Sequence, residues 1–295
     1  MRPVPTVLAG AALAGAGCLA WGAGYEVRAF RLRELTVAVL PAGQDPLRVL
    51  HLSDLHMTPG QRRKQAWVAS LDALDPDLVV TTGDNLAHPD AVGPVLDCLA
   101  PLLHRPGAFV LGSNDYFAPR PKNPARYLLA DKALLGPGPE LPWPDLVAGM
   151  TGAGWADLTN ARATVKAGGR AVELLGVDDP HIHRDRYDAV AGRVSDADLG
   201  LGVVHAPYRR VLDAMAADEL PLVLAGHTHG GQLCVPVWGA LVTNCDLPTR
   251  QASGLSAHTP GTLLHVSAGL GTSPYAPVRF ACPPEATLLT LVAAG

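Results

Sequence analysis

Basic clusters are missing from this 295-residue chain, whose formal net charge is only -4. A surface built to neutralise a polyanionic duplex needs such clusters, so nucleic acid is not an expected partner. The five cysteines, Cys18, Cys98, Cys234, Cys245 and Cys282, are odd in number and lack the paired spacing of a zinc knuckle or a thioredoxin-like site. A structural thiolate centre is therefore not expected, although an oxidising compartment would allow one or two disulfides. Three nucleophile and nucleotide signatures are also absent: the Gly-x-Ser-x-Gly elbow, the P-loop and the Gly-x-Gly-x-x-Gly turn. No internal repeat of fixed period or long low-complexity tract is found.

What remains is a chain with 48 % hydrophobic residues, enough for one sizeable core with room for a smaller subdomain. Its 31 glycines and 27 prolines punctuate apolar runs instead of replacing them, which implies many turns rather than disorder. Residues 1–25 stand apart. From Pro3 to Tyr25 there is no charge, a length compatible with the roughly 20 apolar residues of a membrane span. A cleaved signal peptide is the second reading, with Ala14, Gly15 and Ala16 as small residues for cleavage. Both put the protein at a membrane. Arg28, Arg31 and Arg33 follow the run while only Arg2 precedes it, so a retained anchor places the body in the cytoplasm. A cleaved signal places it outside.

The body, 26–295, reads as alternating strands and helices. Leu35 to Leu40 and Leu47 to Leu52 are expected strands. Gln65 to Leu74 carries apolar residues at helical spacing up to Pro76, and Leu78 to Thr82 gives the next strand, completing a β-α-β unit. Val92 to Leu103 predicts a helix and Ala108 to Leu111 a strand. A proline-rich insertion, 116–150, follows, with a short helix expected at Arg126 to Leu135; such insertions serve as lids or recognition loops, or as plain surface excursions. Ala163 to Lys166 and Ala171 to Val177 form a hairpin around Gly168 and Gly169. Further strands are expected at Gly200 to Val204, Leu222 to Ala225, Thr262 to Ser267 and Ala286 to Val292, with a helix at Arg209 to Ala217. An α/β sheet accumulates.

Metal-ligating residues sit at or near the ends of these apolar runs, where such folds carry their chemistry. Asp54 and His56 are two apart, so extended backbone can turn both to one side. Asp84 follows Gly83; Asn114 offers a neutral amide oxygen; His205 ends a strand; His227 and His229 share a glycine-flanked turn. A carboxylate with two oxygens can bridge two ions about 3.5 to 4 Å apart. Singly, each residue is more often a cap or a core histidine. Together, in this order and spacing, they resemble the calcineurin-like metallophosphoesterases, whose pattern is Asp-x-His, Gly-Asp, Gly-Asn-His, a lone His and Gly-His-x-His. The resemblance runs from His51 to the last strand, and Gly226 to Gln232 is similar to a membrane-associated bacterial subgroup of phosphodiesterases.

The resemblance implies a four-layer α/β/β/α sandwich of two mixed sheets flanked by helices. It implies Asp54, His56, Asp84 and His229 around one metal ion and Asp84, Asn114, His205 and His227 around a second, with Asp84 bridging. Mixed imidazole, carboxylate and amide ligands suit Mn, Fe or Zn, as two divalent or mixed-valence ions. Phosphodiester or pyrophosphate hydrolysis by a metal-bridging hydroxide follows as the expected reaction, on a small-molecule or lipid-linked phosphoester. The catalytic residues are then Asp84, Asn114 and the residue after Asn114. That residue departs from the pattern: Asp115 stands where the family has a histidine credited with protonating the leaving group. An ordinary aspartate is ionised at neutral pH and is a poor acid unless burial or a nearby anion raises its pKa. His88, His181 and His183 are candidate replacements, and Arg120, Lys122 and Arg126 candidate phosphate contacts. Asp115 also motivates the alternative of a metal-bound but catalytically weak scaffold that binds a phosphorylated or lipid-linked ligand.

Overall fold

The computed structural model describes residues 4–121, 137–194 and 197–294. Two six-stranded mixed sheets face each other. In the first, the order is β1 (Arg31–Leu40), β14 (Glu285–Ala293), β2 (Leu47–Leu52), β3 (Leu78–Thr81), β4 (Gly107–Phe109) and β5 (Ala156–Asp157). In the second it is β12 (Gly254–Thr259), β13 (Thr262–Val266), β9 (Leu222–Ala225), β8 (Leu199–Val204), β7 (Arg170–Gly176) and β6 (Ala161–Ala167). Strands β2 to β5 run parallel, as do β7, β8, β9 and β13. Their C-terminal ends meet at one end of the molecule.

Side-chain alternation builds the layers. Leu47 and Val49 of β2 turn inward with Leu78 and Val80 to meet Leu201, Val203, Leu222 and Leu224 of the second sheet. Leu50, Leu52 and Val79 turn outward, onto Val68 of α2 (Arg62–Ala69), Val95 and Leu99 of α3 (Val92–Leu99), and Leu146 and Met150 of α5 (Trp143–Gly152). On the other side Val223 and Ala225 pack on Val211, Leu212 and Met215 of α6 (Arg209–Ala217). Helices, sheet, sheet and helix make the four layers. Burying a leucine or valine at each of these positions stabilises by roughly 1.5–3 kcal/mol.

Several elements differ from the sequence expectations in extent. Helix α2 ends at Ala69 and tightens into a 3₁₀ turn over Ser70–Leu74, since Pro76 forbids further helix. The last residues of the 116–150 insertion, 143–150, belong to α5 and its apolar face in the core. The expected helix at 126–135 lies outside the described residues, as do Lys122 and Arg126. Helix α1 (Val4–Gly24) precedes the body, with Leu19 and Trp21 exposed near its end. Among the described residues no helix is long and apolar enough to cross a membrane.

Candidate metal centre

The loops after β2, β3, β4, β8 and β9 bring the predicted ligands together. One ligand atom each from Asp54, His56, Asp84 and His229 lies within 4.8 Å of the others. His56 Nε2 is 3.0 Å from His229 Nε2 and 3.5 Å from Asp84 Oδ2, and His229 Nε2 is 3.4 Å from Asp54 Oδ1. On the other flank of Asp84, His205 Nε2 is 3.5 Å from Oδ1 and 3.3 Å from His227 Nδ1. Asn114 donates its backbone N–H to Asp84 Oδ1 at 2.8 Å and its side-chain amide to Oδ2 at 2.6 Å.

Tight strand-end loops are what allow this convergence. Asp54, His56, Asp84, His227 and His229 all have φ between 39 and 70°, a left-handed conformation that costs on the order of 1–3 kcal/mol for a residue with a side chain. Backbone bonds across the loops hold it: Asp54 N–H to Gly83 O and His56 N–H to Asp84 O, both 2.9 Å. Close approach also dictates glycine at two points. A methyl group at Gly112 would run into the Asp84 carboxylate and the His205 ring, and one at Gly226 into Ser53 and Asp54.

Hydrogen bonds fix the tautomers of three imidazoles. His205 Nδ1 faces the Thr82 carbonyl at 2.7 Å, His229 Nδ1 the Gly271 carbonyl at 3.1 Å, and His227 Nε2 the Asn244 carbonyl at 3.2 Å. A carbonyl only accepts, so each of these nitrogens carries the proton. The opposite nitrogen of each neutral ring is then a bare lone pair, aimed at the carboxylates and at the other rings. Burial and the neighbouring His181 and His205 hold His227 well below the ordinary histidine pKa, and burial with His56 does the same to His229. Burial lowers His56 to about 4. His205 goes the other way: burial opposes its charge, but the Asp84 and Asp179 carboxylates outweigh it and raise the pKa well above the usual range.

Asp115 lies behind Asp84, fully buried. Its carboxylate accepts backbone N–H from Asp84 (2.8 Å), Asn85 (2.7 Å), Leu86 (3.2 Å) and Gly112 (2.9 Å). Burial and the Asp84 charge push its pKa up to about 7 against those amides. The side chain thus ties the loop after β3 to the loop after β4. Of the three histidines considered as proton donors, His88 is exposed and accepts from its own turn at Asp90 N, and His183 ends a 3₁₀ turn. His181 stacks on His227, ring centroids 4.5 Å apart, and meets the Tyr208 hydroxyl at 3.1 Å. Arg120 is exposed.

Residues 47–231 match the model of the calcineurin-like phosphoesterases. The chain belongs to that family. It is a metal-dependent phosphoester hydrolase. Similar proteins include the uncharacterized metallophosphoesterase YkuE of Bacillus subtilis, 27% identical over 94% of this chain and 92% of that protein. Phosphodiesterase YaeI of Escherichia coli is 25% identical over 89% of this chain and 88% of its own length. A transmembrane protein with metallophosphoesterase domain from Danio rerio is 27% identical over 78% of this chain, which spans 51% of it. A dimetal phosphatase structure from Danio rerio aligns at 12% identity and TM-score 0.43, over 77% of this chain and 88% of that one.

Sequence reasoning missed a buried polar chain that ends on Asp54. Ser53 Oγ donates to Asp54 Oδ2 at 2.5 Å, and Thr82 Oγ1 donates to Ser53 at 2.7 Å. Thr82 must then accept from His51 Nε2 (3.0 Å), which leaves His51 Nδ1 to accept from His265 Nδ1 (2.9 Å). All five side chains are fully buried. Arg279 was also missed: its fully buried guanidinium donates to the carbonyls of Ala268 (2.8 Å), Gly271 (2.7 Å) and Cys282 (3.2 Å), holding the loop against which His229 is oriented. The signal for His51 and for His265 was a histidine inside an otherwise apolar strand.

Proposed function

We propose that this enzyme hydrolyses phosphodiester or pyrophosphate bonds at a two-cation centre, with Asp84 shared between the ions. The supporting observation is the crowding of buried ring nitrogens and carboxylate oxygens: His56 Nε2 to His229 Nε2 at 3.0 Å and His205 Nε2 to His227 Nδ1 at 3.3 Å, around Asp84 and Asp54. Buried lone pairs face one another at a cost unless a cation lies among them, so the donor set fits metal ions of the Mn, Fe or Zn kind. Asp54, His56, Asp84 and His229 would hold one ion, and Asp84, Asn114, His205 and His227 the other.

When bound, such a pair lowers the pKa of a shared water to near neutrality and draws negative charge from the phosphoryl oxygens. The chain's own residues keep the ligands in place. Thr82 O, Asn244 O and Gly271 O orient the three imidazoles, and the carboxylate of Asp115 keeps Asp84 and Asn114 in register. Asn114 holds both oxygens of Asp84. His181, beside His227, is the histidine best situated to meet a leaving group. The diester reading draws on the name of the Escherichia coli relative, and tethering through residues 1–25 on the apolar sequence and on the relative named a transmembrane protein. A lipid-linked phosphoester is then a substrate presented at the same surface.

The test is metal analysis of the purified full chain, followed by assay with added Mn²⁺ against a panel of monoester, diester and pyrophosphate substrates. Diester or pyrophosphate turnover with two ions per chain is expected. Bound metal with no turnover on any substrate would return the protein to the scaffold reading, and one ion per chain would remove the shared role of Asp84.

A further inference from the structure

Away from the metal centre, the most exposed apolar side chains among the described residues of the body sit on one small hairpin. Strand β10 (Cys234–Val235) pairs antiparallel with β11 (Gly239–Ala240), and Trp238 N–H closes the turn on Val235 O at 3.0 Å. At the tip Val237 is 110% and Trp238 85% exposed, with Leu233, Val235 and Leu241 exposed beside them. Val237 adopts φ +70°, a strained conformation for a β-branched residue, and the strain directs its side chain outward. No charged residue occurs from Gly230 to Cys245. Water is a poor partner for such a tip.

The root of the hairpin is fastened to the end of helix α1. Cys234 N–H donates to Phe280 O at 2.9 Å, and the adjacent Arg279 N–H donates to Gly22 O at 3.4 Å. Leu19, Trp21 and Tyr25 are exposed at that end of the helix. Two apolar projections, one from each part of the chain, therefore leave the body side by side. Around them are Arg250, which with Val237 and Trp238 lines a groove of about 500 Å³, Arg33 in the same groove but paired with Glu285 at 2.7 Å, and Arg28, which caps α1 by donating to Gly24 O at 2.8 Å.

The geometry points to the 234–240 hairpin as a membrane-docking element that inserts Val237 and Trp238 into the headgroup layer of an anionic bilayer, beside α1. Tryptophan on an apolar, basic-flanked projection is the chemistry of the lipid interface. A second copy of the chain is a poorer occupant, because a stable protein contact needs about 800 Å² per partner and a two-residue tip is far smaller. The hairpin begins a few residues after His229, and Gly230 of that loop lines the same groove as Val237 and Trp238. This inference rests on the membrane-associated reading above.

The experiment uses the full chain with vesicles of phosphatidylethanolamine and phosphatidylglycerol carrying bromine-labelled acyl chains, which quench tryptophans that enter the bilayer. Wild type and Trp21→Phe are expected to be quenched, and adding Trp238→Phe to Trp21→Phe is expected to remove most of the remaining quenching while the protein still co-floats with the vesicles. Val237→Ser with Trp238→Ser should weaken vesicle affinity about tenfold or more and leave turnover of a soluble diester unchanged. Co-flotation with no quenching attributable to Trp238 would overturn the hairpin and leave tethering by α1 intact. Absence of co-flotation would overturn both, and a dimer in solution dissociated by the double substitution would assign the tip to a second copy.

Discussion

The two sheets contribute opposite halves of one centre. The first sheet supplies the carboxylates, the amide and one imidazole, Asp54, Asp84, Asn114 and His56, with Asp115 behind them, and its acidic side chains are held by accepting N–H groups: Asp84 from Asn114, Asp54 from His227 at 3.1 and 3.2 Å, Asp115 from four amides. The second sheet supplies His205, His227 and His229, each held by donating to a carbonyl. The polarity of the support is thus matched to the ligand: anionic groups are oriented by donors, the imidazoles of the second sheet by acceptors. The supports also cross. His205 leans on Thr82 O of the first sheet, and Asp54 takes the backbone N–H of His227 from the second, so neither half is preorganised without the other.

Breaking the shared member should have the largest effect. Asp84→Asn removes the negative charge between the two imidazole groups and is expected to lower diester turnover on the order of 10³-fold, about 4 kcal/mol in the barrier, with reduced Mn²⁺ binding by calorimetry. Turnover within tenfold of wild type would show that the halves work separately. Next in size is the support behind the first half. Asp115→Ala strips the acceptor from four backbone amides and should cost roughly 3–5 kcal/mol of unfolding free energy in urea titrations. If Asp115 acted instead as the proton donor, its loss would slow alkyl diesters far more than aryl diesters; a brace predicts the same fractional loss for both.

The first half was more legible in the sequence than its support. Asp54, His56 and Asp84 announce themselves because short motifs at strand ends are local, and alternation in β2 and β8 foretells the inner and outer faces of both sheets. Asp115 was legible only as a departure from a family pattern, since its four amide partners come from loops 30 residues apart in sequence. His51, Thr82 and His265 could not be linked from sequence at all: they belong to β2, the loop after β3 and β13, and meet only when the sheets pack. The hairpin tip was hidden for the reverse reason. Val235 to Trp238 reads as one more apolar run, and only exposure marks it.

A finer comparison separates the ligand from the chain behind it. Ser53→Ala takes one hydrogen bond from Asp54 without touching a ligand atom, and should weaken Mn²⁺ affinity about tenfold, as loss of an outer hydrogen bond to a metal ligand commonly does. His51→Phe breaks the same chain two links further away and should have a smaller effect on affinity. Equal effects from both would mean that the chain acts as a single unit; no effect from Ser53→Ala would mean that His227 N–H alone orients Asp54.

A last comparison is a pH dependence on the first-sheet side. Lys64 of α2 is buried, its ammonium donating to Leu55 O at 2.6 Å and Gln61 Oε1 at 2.9 Å, between the two first-half ligands Asp54 and His56. Burial, with a contribution from Arg279, lowers its pKa to about 7. Since the folded value lies below the unfolded one, the unfolded chain binds more protons between pH 7 and about 10, and stability from this group rises with pH across that window. Below pH 7 both states are charged and the desolvation penalty is felt in full. Lys64→Met removes the titration, so the unfolding free energy of wild type relative to this variant should climb from pH 7 to pH 10 in urea titrations. A difference that stays flat, or that falls with rising pH, would show that the hydrogen bonds to Leu55 and Gln61 keep the ammonium charged and that this lysine fixes the His56 loop as a cation.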